Sequence, residues 1–288
     1  MGPTASGKTA LAEALAEELD AQLINADASQ AYIGMSIGTA KPEDTHRYKL
    51  LDLKTPDEQY GAGEFCRLAS AELDELWDKG RSAVVVGGTG FYLRALFEQY
   101  EGLEDQPDPV LRDNLNRRRE SEGLESLVQE LLAFDPDAAT RIDLKNPNRV
   151  TRALERAIQP SVPSLISLPP FRKIKLGLNP QVDQLFDRIS TRVNTMMHNG
   201  WIQEVRDLLE AGYTRESPGF RAIGYSDVAR YLDEEIELEE VIATTIATTV
   251  RYAKRQRTWL RSEPKLNILQ SGEPELLARA LNLVHGDF

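Results

Sequence analysis

The chain begins with a glycine-rich segment that restricts its possible folds more than any other feature. Gly2–Thr9 matches G-x-x-x-x-G-K-[ST] at every fixed position, and leucine and alanine follow at helical spacing. Such a loop points backbone N–H groups and the positive end of the following helix at phosphate oxygens. Lys8 would reach a terminal phosphate, and the Thr9 hydroxyl would bind Mg²⁺ or a phosphate oxygen. The residues predicted to bind phosphate are Gly2, Pro3, Thr4, Ala5, Ser6, Gly7, Lys8 and Thr9.

The position of this loop in the chain is unusual. A phosphate loop normally follows a buried strand, yet here it directly follows Met1. Two interpretations remain open: the sequence is a truncated product, or the sheet is built without its usual first strand. In either case we expect lower stability than in a form that carries about eight additional apolar residues before Met1.

Strand and helix patterns alternate after the loop. The strand pattern Arg81–Val86 ends in three consecutive valines, as is typical of a central parallel strand. The alternation predicts an α/β fold with a doubly wound parallel sheet. The predicted strands are Ala21–Ala26, Arg81–Val86, Lys173–Leu178 and Leu266–Leu269. The predicted helices are Phe65–Lys79, Phe91–Phe97, Leu185–Ala211 with a break near Gly200, and Glu239–Leu260.

The middle of the chain has a different character. Val110–Ile158 shows only helical patterns, and Gln159–Pro170 contains four prolines that exclude a continuous helix. We therefore assign residues 1–106 and 171–288 to an α/β core that contains the phosphate loop. Residues 107–170 are assigned to an all-helical insertion domain.

Composition excludes several classes of protein. The 288 residues include 41% apolar and 28% charged side chains, which is typical of a globular chain. Cys66 is the single cysteine, so an internal disulfide and a thiolate zinc cluster are excluded. Apolar runs are too short to span a bilayer and no signal pattern is present, so we expect a cytoplasmic protein without membrane contact. The net charge of −12 argues against non-specific polyanion binding by the whole surface but permits a local basic groove.

One acidic residue follows a predicted strand. Kinases and NTPases usually place a second acid for Mg²⁺ at a strand end, but Arg81–Val86 is followed by Gly87, Gly88 and Thr89. Asp27, about twenty residues after the phosphate loop, is the acid in such a position. Three roles stay open for it at this point: metal ligand, general base, or N-cap of the next turn.

Seven blocks of the sequence resemble the tRNA dimethylallyltransferases, also called tRNA isopentenyltransferases. They occur in the order of that family and span nearly the whole chain. Their combination is specific, and the Ile37–Pro42 run is the most diagnostic. The blocks are Gly2–Thr9, Asp27–Tyr32, Gly34–Pro42, Val86–Leu93, Asn148–Glu155, Arg221–Tyr225 and Lys254–Arg261.

The resemblance implies a reaction. A dimethylallyl group would move from dimethylallyl diphosphate to the N6 amine of the adenosine 3′ of the tRNA anticodon, and diphosphate would leave. Lys8, Thr9 and Mg²⁺ would stabilise charge on the leaving oxygen, and Arg221 would support the same oxygen. Asp27 would be the general base, and the helical insertion would clasp the anticodon stem-loop. We expect a monomer without an obligate protein partner.

Two basic stretches are candidates for RNA contact. Lys145, Arg149, Arg152 and Arg156 have spacings that would place them on one helical face. Arg251–Arg261 carries five basic residues and no acid. Tyr252 and Trp259 could stack on bases there, whereas the alternative for both stretches is a solvated helix face. With the resemblance, the residues expected to bind tRNA are Asp27, Ala28, Ser29, Gln30, Thr89, Arg112, Asn148, Arg149, Arg152, Lys254, Arg255 and Arg257.

Four positions depart from the usual pattern of the family. They are Ala28, Ile33, Ser36 and Tyr48, and they cluster in the region expected to meet the target base. Together with the missing strand, these departures leave open an RNA-binding protein with weakened catalysis. Two other functions also stay open: a prenyltransferase for free adenine nucleotides and a small-molecule kinase.

Overall fold

The computed structural model describes residues 1–98, 108–160 and 167–286. The chain divides into two compact units, one formed by residues 1–99 and 167–288 and the other by residues 100–166. The sequence placed the insertion at 107–170. Part of the proline-rich connector, residues 161–166, lies outside the described residues.

The described part of the chain contains these elements. The strands are β1 (Gln22–Asn25), β2 (Tyr48–Lys49), β3 (Ala83–Val86), β4 (Lys175–Asn179) and β5 (Leu266–Gln270). The helices are α1 (Lys8–Glu18), α2 (Ala62–Asp78), α3 (Gly90–Phe97), α4 (Pro109–Glu122), α5 (Leu124–Phe134), α6 (Ala138–Arg141), α7 (Pro147–Ile158), α8 (Val182–His198), α9 (Trp201–Glu210), α10 (Tyr225–Leu232), α11 (Leu238–Ser262) and α12 (Leu276–His285). Short 3₁₀ helices lie at Ala28–Ala31, Thr45–Arg47 and Pro218–Arg221.

The strands confirm a parallel α/β fold. β1 lies between β2 and β3, and both pairings are parallel. β4 and β5 form a second parallel pair. In parallel sheets the carboxyl ends of neighbouring strands meet at one edge, so the residues after β1 and β3 lie together.

Helix α1 joins the two sheets and thereby fixes the phosphate loop. On one side, Leu11 and Leu15 pack in a cluster with Leu178 of β4. On the other side, Ala12 packs in a cluster with Leu23 of β1. Burial of each leucine contributes about 2 kcal/mol to folding. The loop that precedes α1 is therefore held at the edge where both sheets present their strand ends.

The second unit is helical, as the sequence predicted for 110–158. Helices α4 to α7 enclose a core that includes Leu115, Leu127 and Leu154. Pro147 begins α7, and the Asn146 side chain caps it by accepting a hydrogen bond from the Arg149 N–H at 3.2 Å.

None of the helices in the described ranges combines the length and the apolar character needed to cross a bilayer.

The structure confirms one local prediction and adds elements that the sequence did not predict. The break predicted near Gly200 separates α8 from α9, and Gly200 has a φ of 96°, which suits glycine. β2, α10 and α12 were not predicted. The two residues of β2 are too few to show periodicity, and pairing with β1 creates the strand.

An apolar groove lies between β3 and β4. Met1 enters it as part of a parallel ladder, because its amine donates to the Leu176 carbonyl at 2.7 Å and its carbonyl accepts from the Leu178 N–H at 2.9 Å. The groove has a volume of about 660 Å³ and is lined largely by aliphatic side chains of α1, β3 and β4. Burial, with a smaller contribution from Lys8, lowers the pKa of the Met1 amine to about 5.

Addition of about eight apolar residues before Met1 is expected to raise the midpoint of thermal unfolding by about 5 °C or more. The added strand would fill the groove and replace the buried amine with a peptide bond. The measurement is thermal unfolding followed by circular dichroism, with a glycine–serine extension of equal length as the control. Equal midpoints for the two extended forms would contradict this expectation.

Candidate active site at the phosphate loop

The phosphate loop is held by residues distant in sequence. Gly7 adopts a φ of 85° directly before α1. The Ser271 hydroxyl donates to the Ser6 carbonyl at 2.6 Å. A Cβ on Gly2 would lie 2.9 Å from the Leu178 carbonyl oxygen, so only glycine fits at this position without a shift. These contacts hold the loop in its position within the fold.

Gln256 of α11 ties the phosphate loop to the loop after β3. Its side-chain oxygen accepts from the Thr4 N–H at 2.8 Å, and its Nε2 donates to the Gly88 carbonyl at 2.8 Å. A Cβ on Gly88 would lie 2.3 Å from that Nε2. The sequence analysis missed Gln256, although an uncharged residue four positions after Tyr252 in a basic run indicates an inward helix face.

Two half-buried cations, Lys8 and Arg192, lie at the phosphate loop. Burial lowers the pKa of Lys8, while Asp27 opposes this shift and Arg192 adds to it. Burial also lowers the pKa of Arg192 of α8, and the charge of Asp27 again opposes this shift. Arg192 Nη1 lies 3.3 Å from Thr4 Oγ1. Cations held in a desolvated site favour an anionic ligand strongly, since burial of unneutralised charge is costly.

Arg192 was missed by the sequence analysis, which assigned the second cation to Arg221. Arg221 is exposed at the end of the 3₁₀ helix Pro218–Arg221. Burial raises the pKa of Tyr32, and the charge of Arg221 opposes that shift by a smaller amount. The predicted role of Arg221 at the leaving oxygen remains a prediction. The only sequence signal for Arg192 is its place in α8 beside the buried Val193.

Asp27 follows β1 and fills one of the three roles that the sequence left open, that of an N-cap. Its Oδ1 accepts from the Ser29 N–H at 3.1 Å, which confirms the N-cap. Its own N–H donates to Asn25 Oδ1 at 3.1 Å, so a buried residue fixes its backbone. The same carboxylate acts on Lys8 and Arg192 through its charge. An N-cap is therefore compatible with a chemical role at the phosphate loop.

The residues around Asp27 form the second half of the site. The Ala28 N–H donates to Thr89 Oγ1 at 3.4 Å, which joins the loops after β1 and β3. Gln30 Nε2 donates to the carbonyls of Thr39 and Ala40 at 3.1 and 3.0 Å. The structure thus brings together the segments that the sequence analysis assigned to the target base, and their contact with RNA remains a prediction.

The basic residues of α11 differ in exposure. Lys254 and Arg255 are exposed and line a hollow of about 350 Å³. Arg257 Nε donates to Asn179 Oδ1 at 3.3 Å. The ring of Trp259 packs against Gly90, and the Arg94 guanidinium lies 4.1 Å from its centroid. The ring of Trp259 thus has partners within the protein, and its stacking on a base remains a prediction.

In the second unit, two predicted RNA-binding arginines are bound to a buried acid. Arg112 Nη2 and Arg152 Nη1 lie 2.6 and 3.2 Å from Glu155 Oε2, and the Glu155 side chain is only 4% exposed. Asn148 and Arg149 are exposed in the first turn of α7. The four basic residues expected on one face therefore differ in their environment, and Lys145 lies outside the helix.

Comparisons with known proteins agree on one family. Residues 30–263 match the family model described as IPP transferase. The chain is 38% identical over 301 residues to tRNA dimethylallyltransferase 2 of Geotalea uraniireducens, covering 99% of this chain and 94% of that protein. It is 38% identical over 292 residues to tRNA dimethylallyltransferase of Salinispora tropica, covering 99% and 91%.

Solved structures lead to the same result. A tRNA isopentenylpyrophosphate transferase from Bacillus halodurans superimposes with a TM-score of 0.73 at 34% identity, covering 99% of this chain and 94% of that one. A eukaryotic dimethylallyltransferase acting on tRNA gives a TM-score of 0.76 at 25% identity, covering 94% and 72%. Because the family model matches most of the length of this chain, the chain belongs to the IPP transferase family.

Proposed function

We propose that the protein transfers a dimethylallyl group from dimethylallyl diphosphate to the N6 amine of the adenosine 3′ of the tRNA anticodon and releases diphosphate. The similar proteins named tRNA dimethylallyltransferase support this function. The observation that carries it is the placement of two half-buried cations, Lys8 and Arg192, at the phosphate loop, where both interact with the charge of Asp27. Two cations suit a diphosphate, and the carboxylate suits an acceptor that must lose a proton.

The phosphate loop forms the donor half of this site. Its N–H groups, the start of α1, Lys8 and Arg192 would bind the diphosphate and stabilise the negative charge that grows as it leaves. Because these groups are already in place, little reorganisation accompanies the reaction. Gln256 and Ser271 keep the loop in this conformation.

Asp27 forms the acceptor half. A new C–N bond would form between the dimethylallyl carbon and N6 as the C–O bond to diphosphate breaks. The N6 proton would pass to the Asp27 carboxylate, and the bonding electrons would leave with the diphosphate. Because an adenine amine is a weak nucleophile, much of the acceleration would come from positioning of the two substrates.

The donor set fits a Mg²⁺ ion that is shared with the diphosphate. Thr9 supplies a hydroxyl next to the phosphate loop, and the described residues contain no group of three or more His, Cys, Asp or Glu side chains arranged for a metal. Mg²⁺ is commonly bound by few protein ligands together with phosphate oxygens and water. When bound, it would neutralise charge on the diphosphate, while the residues described above position both substrates.

Each unit carries exposed groups suited to RNA. Asn148 and Arg149 of the second unit and Lys254 and Arg255 of the first would bind phosphates of the anticodon stem-loop. These local groups act in spite of the net charge of −12 because salt screens the acidic residues that lie more than about 10 Å away. We further propose that the protein acts as a cytoplasmic monomer without an obligate protein partner.

One assay separates this function from its alternatives. The protein is incubated with labelled dimethylallyl diphosphate, Mg²⁺ and either unmodified tRNA or AMP, and separately with ATP alone. Label on tRNA is the expected result. Label on AMP alone, turnover of ATP alone, or tRNA binding without transfer would replace the proposal by a nucleotide prenyltransferase, a kinase or an RNA-binding protein, respectively.

Asp27→Ala is expected to lower turnover by about a hundredfold or more and to leave tRNA binding nearly unchanged, because a general base would be lost. Single-turnover transfer and filter binding of tRNA measure the two effects. Asp57→Ala, which changes an exposed carboxylate, is the control. Wild-type turnover in Asp27→Ala would exclude Asp27 as the base.

Arg192→Ala is expected to weaken binding of inorganic pyrophosphate by about tenfold or more, since hydrogen bonds between charged groups are the strong ones. Isothermal titration calorimetry measures the dissociation constant. Arg206→Ala, an exposed arginine on the next helix, should bind as the wild type does. Equal affinities in the two variants would remove Arg192 from the donor half.

Arg149→Ala is expected to weaken tRNA binding and to reduce its dependence on salt, with unchanged affinity for pyrophosphate. Lys79→Ala, which removes an exposed cation directly after α2, is the control. Arg152→Ala should in addition lower stability, because it removes a partner from the buried Glu155. Loss of pyrophosphate affinity in Arg149→Ala would contradict a role confined to RNA.

A further inference from the structure

We propose that Glu204 of α9 is a positioning residue for the acceptor half of the site. Its carboxylate reaches the Ser36–Ala40 segment, here called the acceptor loop. Glu204 Oε2 accepts from the N–H groups of Ser36 and Ile37, each at 2.7 Å, and Oε1 accepts from the Gly38 N–H at 3.2 Å. This inference rests on the proposed function, because the loop belongs to the half of the site assigned to the target base.

The contact is built as an anion site within the protein. Three consecutive backbone N–H groups converge on one carboxylate, and the Tyr225 hydroxyl donates to its Oε1 at 2.6 Å. Such charge-assisted hydrogen bonds are about twice as strong as neutral ones. Burial and Glu204 raise the pKa of Tyr225, so its hydroxyl stays protonated and continues to donate. Glu204 therefore joins α9, α10 and the acceptor loop.

Aromatic rings seat the same loop. A Cβ on Gly38 would lie 2.1 Å from Trp201 Nε1 and 2.7 Å from the Tyr225 ring. Trp201 and Tyr225 are both buried, and their ring centroids lie 5.6 Å apart. The loop thus rests on a rigid surface with its backbone in close contact, and Glu204 fixes its orientation on that surface.

The acceptor loop is hydrogen-bonded to the 3₁₀ helix that Asp27 caps. Its Thr39 and Ala40 carbonyls accept from Gln30 Nε2. Gln30 belongs to the 3₁₀ helix Ala28–Ala31, which Asp27 caps. In the next segment, Lys41 Nζ donates to the Tyr32 carbonyl at 2.5 Å. Hydrogen bonds at both ends of the acceptor loop therefore connect Glu204, through the loop backbone, to the residues that follow the proposed base.

The donor half is held through different residues. Gln256, Ser271 and Arg192 contact the phosphate loop and come from α11, from the segment after β5 and from α8. Loss of the Glu204 charge should therefore impair use of the tRNA and the chemical step, and leave binding of the diphosphate donor unaffected. If Glu204 had a purely structural role, its loss would weaken the binding of both substrates together.

The test is Glu204→Gln, which keeps the size of the side chain and removes its charge. We expect the KM for tRNA to rise about tenfold and kcat to fall, while the KM for dimethylallyl diphosphate stays within about twofold of the wild type. Hydrogen exchange followed by mass spectrometry should show faster exchange of the Ser36–Gly38 amides. All assays are run well below the midpoint of thermal unfolding of the variant.

Two matched variants complete the experiment. Glu210→Gln changes an exposed acid at the end of α9 and should behave as the wild type. Tyr225→Phe keeps the ring and the three amide contacts and should have a smaller effect than Glu204→Gln.

Three results would overturn the inference: kinetics of Glu204→Gln equal to those of Glu210→Gln, equal rises in both KM values, or unchanged exchange of the loop amides. Absence of transfer by the wild type would instead refute the proposed function, and hydrogen exchange alone would then decide whether Glu204 orders the loop.

Discussion

The site depends on keeping two cations close together at one phosphate loop. Lys8 and Arg192 are half-buried where their charges repel, and the carboxylate of Asp27 offsets part of this cost. Such an arrangement persists only if the surrounding fold holds all three groups firmly. An anionic ligand would relieve the remaining repulsion, so the same interaction that costs stability would contribute to binding.

The fold supplies this rigidity through helix α1 and helix α11. Helix α1 packs on both parallel sheets and carries the phosphate loop at its start. From α11, Gln256 binds the loop and the segment after β3 at once. On the other side of the site, Glu204 and the rings of Trp201 and Tyr225 hold the acceptor loop. The two proposed substrate halves are thus supported by separate elements, which makes the proposal testable by mutation of one half at a time.

Much of the fold was predictable because its signals are local. The phosphate loop is contiguous, the valines of β3 are typical of a buried parallel strand, and the helical patterns of 110–158 are long enough to be recognised. The second cation was not predictable in this way. Arg192 lies more than 180 residues from the loop that it contacts, and nothing in its neighbourhood distinguishes it from Arg188. Gln256 and Glu204 were missed because a single polar residue in a helix carries no record of its distant partner.

The sequence by itself determined the phosphate loop, the parallel α/β class, the helical insertion and the family, since each is recorded in a contiguous pattern. Tertiary structure decided which arginine joins Lys8, that Asp27 is both an N-cap and a neighbour of two cations, and that Arg112 and Arg152 bind Glu155. It also decided that the ring of Trp259 packs against Gly90 and the Arg94 guanidinium. The reason is physical: charge and burial act through space, and the pairs that they create are set only when the helices pack.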